Sequence, residues 1–94
     1  MVASWYGAAY QGKPMANGRP FDRHALTCAS WDYPLGTRLK VASRASGMAV
    51  IVIVTDRGPA KRLLTTRRLD LSEAAFSRLA PLSNGLVTVT VTEL

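Results

Sequence analysis

The segment Met48 to Thr55 constrains this chain more than any other: its centre is Val50-Ile51-Val52-Ile53-Val54, five consecutive β-branched residues. Two heavy atoms on Cβ stiffen χ1, which disfavours a helix and suits a pleated strand. The run is strand-length, not helix-length, and it carries no polar alternation, so it reads as a strand buried on both sides. Two further segments alternate with period two. Thr37 to Ala42 places Leu39 and Val41 on one face, and Leu86 to Thr92 places Val87, Val89 and Val91 inward and threonines outward. Ser46-Gly47 marks a hairpin between Thr37–Ala42 and the β-branched run. Ala3 to Tyr6 and Ala25 to Ala29 read as shorter strands. The expected core contains Leu39, Val50, Val52, Val54, Val87 and Val89.

One helix interrupts this mainly β pattern. In Leu71 to Leu79, Ser72 is placed as an N-cap, Ala75, Phe76 and Leu79 share a face at helical spacing, and Pro81 follows as a stop. The helix is expected to cover one end of a barrel, with Phe76 in the core. An internal echo suggests how the barrel closes. Leu26 opens a short strand that leads to Pro34-Leu35-Gly36 and an alternating strand. Leu69 opens another that leads to Pro81-Leu82, Gly85 and a second alternating strand. Neither half is large enough to bury a core alone. Interlocked, they form one closed barrel without exposed sheet edges, a single domain over residues 1–94.

Composition excludes several classes. The 94 residues are 48% hydrophobic, too apolar for a disordered chain. No apolar run approaches the ~18 residues of a membrane-spanning helix. Cys28 is the only cysteine and His24 the only histidine, so neither an internal disulfide nor a zinc site is expected. Cys28 reads as a small buried hydrophobe. Twelve Lys and Arg oppose six Asp and Glu, a net charge of +6. Arg57, Lys61, Arg62, Arg67 and Arg68 concentrate it in one segment, which points to an anionic polymer as partner. Charge alone also admits nucleic acid, but no RNP-like aromatic pair or other recognition motif accompanies it.

The order of short motifs is more specific. Ala3-Ser4-Trp5-Tyr6-Gly7, Ala16-Asn17-Gly18, Phe21-Asp22, Ala25-Leu26-Thr27, Pro34-Leu35-Gly36-Thr37, Thr55-Asp56-Arg57-Gly58-Pro59 and Leu69-Asp70-Leu71-Ser72 span nearly the whole chain. In sequence and spacing they resemble the rare lipoprotein A family. The resemblance implies a six-stranded double-psi β-barrel with one main short helix. It also implies lytic transglycosylase activity on peptidoglycan glycan strands, often strands stripped of peptide, at MurNAc–GlcNAc bonds and without a cofactor or metal. Related barrels occur in expansins, which loosen wall polymers without demonstrable hydrolysis, so a non-hydrolytic glycan-binding module is the alternative. The N-terminus opens on a strand pattern with no basic n-region and no apolar stretch, so the protein is expected to be cytosolic or to have lost a leader, and Met1 so close to the first strand favours removal. With the resemblance, the expected setting is the cell envelope, periplasmic or secreted, without leader or lipid anchor, and a monomer is expected. Two positions depart from the family: Ser30 stands where histidine is usual, and Arg19 where glutamate is frequent.

Cleaving a glycosidic bond requires a proton for the leaving oxygen and stabilisation of an oxocarbenium-like centre. Of six carboxylates, Glu93 is terminal and Glu73 lies in the first helical turn. Asp56 ends the most apolar strand, where desolvation favours a neutral carboxyl; as a turn residue it would instead cap the following amides. Asp70 interrupts the pair Leu69 and Leu71; the alternative is an acid serving the helix N-terminus. Expansin-type barrels place acids at both positions. Asp22 is a third candidate, or an Asx-turn residue. For the substrate-binding side, Tyr6, Tyr10 and Trp31 offer rings for sugar stacking, with Asn17 and Ser30 as polar contacts. Trp5 suits the core, and Tyr33 lies with Trp31 in a polar loop. Arg57 is a candidate for a lactyl carboxylate or N-acetyl oxygen, or else a partner of Asp56 or Asp70.

Overall fold

A computed structural model describes the whole chain, Met1–Leu94. Six strands close into a barrel: β1 (Val2–Tyr6), β2 (Thr27–Ser30), β3 (Arg38–Ser43), β4 (Ala49–Asp56), β5 (Leu69–Ser72) and β6 (Val87–Glu93). Their order around the wall is β1-β5-β2-β4-β3-β6, and β6 returns to β1. Strands of the first half (β1, β2, β3) alternate strictly with strands of the second (β4, β5, β6). Every ladder therefore joins the two halves, and neither half forms a sheet by itself. The pairs β1–β5 and β2–β4 are parallel; the others are antiparallel. The echo in the sequence is this interleaving, and the sixth strand is its short segment at Leu69.

The core is one cluster inside the wall, with Leu39, Val41, Val52, Val54, Leu69 and Leu71 at its centre. Helix α1 (Glu73–Ser77) caps it with Ala75 and Phe76, followed by Leu79. Ser72 caps the helix as expected: its Oγ accepts from Ala75 N at 3.2 Å and donates to Ala25 O at 2.6 Å. The helix ends at Ser77, well before Pro81. Trp5 packs against the core, its ring centroid 6.4 Å from that of Phe76, and its Nε1 donates to Leu82 O at 3.0 Å. Cys28 is buried and unpaired.

Two expectations are corrected. β4 is not buried on both sides. Val50, Val52 and Val54 point into the core, but Ile51 and Ile53 are 46% and 43% exposed. A barrel wall is one layer, and α1 packs on β5 and β1, leaving the outer face of β4 open. On β6 only Val89 is fully buried; Val87 and Val91 are half-buried, packed on the edge of the core.

This one-sided burial is testable by equilibrium unfolding. Val52→Ala is expected to cost about 2–3 kcal/mol, the loss of a buried side chain plus its cavity. Ile51→Ala, one residue away, is expected to change stability by no more than about 0.5 kcal/mol.

Candidate active site

The site is built on a break in strand register. Along β4, Val50, Val52 and Val54 face inward, so strict alternation would aim Asp56 into the core. The β2–β4 ladder instead runs Cys28↔Val54 and then Ala29↔Asp56, skipping Thr55. Such a bulge turns the following side chain to the other face. On the opposite side of β2, Ala29 pairs with Asp70 of β5. One alanine thus lies between two acids, whose backbones are two strand spacings apart, about 9–10 Å. Asp70 reaches that face by ordinary alternation, since Leu69 and Leu71 point into the core. Ser4 and Tyr6 of β1 join it, because Ser4 pairs with Asp70 and Tyr6 with Ser72.

Small residues keep the space between the acids open. A Cβ on Gly58 would lie 3.2 Å from Ala29 Cβ and 3.9 Å from Asp70 Oδ2. Any side chain at Gly58 would crowd the strand that separates the acids.

The two carboxylates are held differently. Asp56 Oδ1 accepts from two backbone amides, Arg57 N at 2.8 Å and Ala16 N at 2.9 Å. The second bond ties the Ala16–Asn17 loop to the end of β4, as does Asn17 N donating to Thr55 O. Asp70 Oδ1 has one donor, Ser4 Oγ at 3.1 Å. Burial raises Asp70 from its ordinary 3.8 to about 6; Ser4 and Arg67 oppose the rise and Asp56 adds to it. Burial likewise pushes the Tyr6 hydroxyl far up, helped by Asp56, Asp70 and Cys28, and the Cys28 thiol up to about 12, helped by Asp70.

Two adjoining cavities open on this face. The larger, about 610 Å³, runs from Tyr6 and Asp70 past Tyr10 to Arg62 and Arg67. The smaller, about 160 Å³, holds Asp56. Tyr6, Tyr10, Pro59, Ala60 and Asp70 line both, so the two form one groove with Asp70 at the junction. No group of three or more His, Cys, Asp and Glu is placed to hold a metal ion.

The structure brings together Asp56, Asp70, Tyr6, Tyr10 and Arg57. Arg57 pairs with neither acid side chain: its Nη1 donates to Ser30 O at 2.7 Å and Tyr33 O at 2.6 Å, bracing the β2–β3 loop. Ser30 is buried, its Oγ accepting from Asp32 N at 3.0 Å. Asp22 lies outside the groove lining and accepts from His24 N at 3.0 Å, an Asx turn. Asn17 Oδ1 likewise accepts from Arg19 N, within its own loop. Trp31 is exposed beside the rim, with Nε1 donating to Pro59 O at 2.8 Å and Lys61 Nζ 4.6 Å from the ring centroid. Tyr33 packs against the core. The basic segment divides among tasks. Arg68 forms a two-point ion pair with Asp32 at 2.7 and 3.1 Å, which holds Asp32 below the usual carboxylate range. Only Arg62 and Arg67 line the large cavity. Ser4, Ala29 and Gly58 were not legible as site residues; the hint was small residues beside the acids in the strand pattern.

Asp70 should leave a mark on stability. Its proton affinity is raised on folding, so its contribution is complete below 3.8 and is lost as pH rises through about 6. Asn mimics the protonated form. Asp70→Asn is expected to match the parent at about pH 3 and to exceed it by about 2–3 kcal/mol at about pH 8, read by denaturant titration at each pH.

Comparison with known proteins bears on the family and the fold. The sequence pattern of the family described as lytic transglycolase matches residues 1–91. A probable endolytic peptidoglycan transglycosylase RlpA of Synechocystis is 40% identical over 88 residues, covering 94% of this chain and 26% of that protein. The endolytic peptidoglycan transglycosylase RlpA of Campylobacter jejuni is 38% identical over 88 residues, covering 94% and 31%. The chain thus spans less than a third of either relative's length. Among solved structures, Streptomyces papain inhibitor superposes with a TM-score of 0.75 at 28% identity, over 99% of this chain and 90% of that one. The apo expansin of Clavibacter michiganensis superposes at 0.74 with 25% identity, over 99% and 48%. The barrel is a six-stranded double-psi β-barrel, and the chain belongs to the lytic transglycolase family, among its RlpA-like domains.

Proposed function

We propose that this domain cleaves peptidoglycan glycan strands by lytic transglycosylation, with Asp70 as general acid and then base. The observation that supports the reading is the bulge at Ala29, which turns Asp56 onto the face that Asp70 occupies. One acid is buried and holds its proton up to about pH 6; the other is fixed by two amides in the same groove. Asp70 gives its proton to the glycosidic oxygen as the bond to the sugar's C1 breaks. The charge of Asp56 opposes the positive charge that develops at C1. The 6-hydroxyl of the same sugar attacks C1 and returns its proton to Asp70, leaving an anhydro end. Tyr6 and Tyr10 line the sugar path, and Arg62 and Arg67 give the larger cavity a positive wall suited to an anionic polymer. Asp22, in its Asx turn, has no step. The domain acts in the cell envelope as a monomer.

One observation favours the expansin-like alternative. Ser30 occupies the position where the family usually carries histidine; its hydroxyl is buried and cannot carry charge. If turnover needs a charged ring there, the groove grips glycan without cutting it.

Digestion of purified sacculi and of peptide-free glycan strands, with mass spectrometry of the products, separates the readings. Anhydro-muramyl ends are expected from the parent. Asp70→Asn is expected to reduce them by about 10²-fold or more, as the loss of a general acid does, while folding and glycan retention persist. Unchanged cleavage by Asp70→Asn and by Asp56→Asn would remove both acids from the mechanism. Bound but intact polymer with the parent would establish the binding module. Glycan retention is also expected to weaken between about 0.05 and 0.5 M salt, because the Debye length falls severalfold; retention that ignores salt would remove the role of Arg62 and Arg67.

A further inference from the structure

Tyr6 carries an atom that the mechanism above does not use. Its hydroxyl is buried and has no hydrogen-bond partner. Buried polar groups are almost always paired, so an orphan calls for a reason. The ring cannot easily turn away. It is stacked on Phe21 at 4.3 Å between centroids and 21° between planes, and Tyr10 meets it edge-on at 5.7 Å. Its neighbours across the groove are acids, both close enough to act on the hydroxyl electrostatically. Asp70 uses Oδ1 for Ser4, and Asp56 uses Oδ1 for Ala16 N and Arg57 N. Oδ2 accepts no hydrogen bond in either acid. An unpaired donor thus belongs to the wall of the groove that Asp70 also lines, and Asp70 Oδ2 has acceptor capacity to spare.

We propose that Tyr6 is a positioning residue, a reserve donor that closes onto Asp70 when Asp70 gives up its proton. This rests on the reading of Asp70 as the acid. When the proton leaves Asp70 for the glycosidic oxygen, the electron pair stays on the carboxylate. The Tyr6 O–H then donates to that oxygen in a charge-assisted hydrogen bond. No proton moves from Tyr6, whose hydroxyl is held in its neutral form by burial and by the same acids. Below the Asp70 midpoint of about 6 the protonated carboxyl is a poorer acceptor, and the hydroxyl waits unpaired. The other groups that face Asp70 are Ser4 from β1, Arg67 from the segment before β5, and Asp56 from β4. Cys28 of β2 stays a neutral thiol. Arg67 also pulls Asp70 toward ionisation, so the Tyr6 effect must be read as a difference between parent and variant.

Tyr6→Phe removes the hydroxyl and keeps the ring. The measurement is a carboxyl ¹³C NMR titration of Asp70, its resonance assigned with Asp70→Asn. A donor to the ionised form lowers proton affinity, so its removal raises the midpoint above the parent's by about 1 pH unit. The acid-dependent limb of the cleavage profile should move with it. An unchanged midpoint would overturn the proposal. Thermal unfolding gives a second check. Measured at about pH 4.5, below the Asp70 midpoint of about 6, removal of an unpaired buried hydroxyl should leave the melting temperature equal or higher; a clear fall at that pH would mean that the hydroxyl is already bonded to the protonated acid, which also overturns it. The titration needs no glycan. A parent that makes no anhydro ends would therefore defeat the enzymatic reading without deciding the Tyr6–Asp70 contact.

Discussion

Every strand of this barrel finds its hydrogen-bonding neighbours in the other half of the chain, and the groove depends on that interleaving. Asp56 ends β4 and Asp70 lies in β5, both in the second half. They meet because β2, from the first half, is inserted between those strands and pairs with each. In a simple meander β4 and β5 would be neighbours, and two acids on one face would sit a single strand spacing apart, about 4.8 Å. The intervening strand sets the wider separation. Ala29 and Gly58 keep it free of side chains.

The second constraint is the asymmetry between the acids. A carboxyl that shuttles a proton needs weak anchoring and partial burial; one that stabilises charge needs fixed geometry. Asp70 has a single hydroxyl donor and lies between two core leucines. Asp56 has two amide donors supplied by its own turn and by the Ala16–Asn17 loop. Environment, not residue type, separates the roles proposed for them. Burial of Asp70 carries a stability cost above its midpoint, a cost that the proposed acid role would account for.

Much of this was legible in the sequence because it is local. β-branched runs, valine–threonine alternation, the Ser72 cap and the ordered motif blocks depend on neighbouring residues only. Asp70 was legible for the same reason, as an acid between leucines. The orientation of Asp56 was not. Period two along β4 aims it into the core, and only the register against Ala29 on a distant strand turns it out. The open face of β4 was hidden because Ile51 and Ile53 look as apolar as the valines beside them; whether a layer covers them is a tertiary fact. The basic segment read as one patch because charge adds up in sequence, whereas folding sends Arg57 to carbonyls, Arg68 to Asp32 and Lys61 over Trp31, leaving Arg62 and Arg67 for the groove.

The central claim is that one groove presents both acids to a single glycosidic bond. A crystal structure of the Asp70→Asn variant with a peptide-free glycan tetrasaccharide tests it most directly. The glycosidic oxygen is expected within hydrogen-bond distance of the residue 70 side chain, with Asp56 facing the sugar whose C1 carries the bond and Tyr10 against a ring. A glycan bound away from the groove, or one that crosses it with residue 70 and Asp56 on different sugars and neither near a glycosidic oxygen, would contradict it.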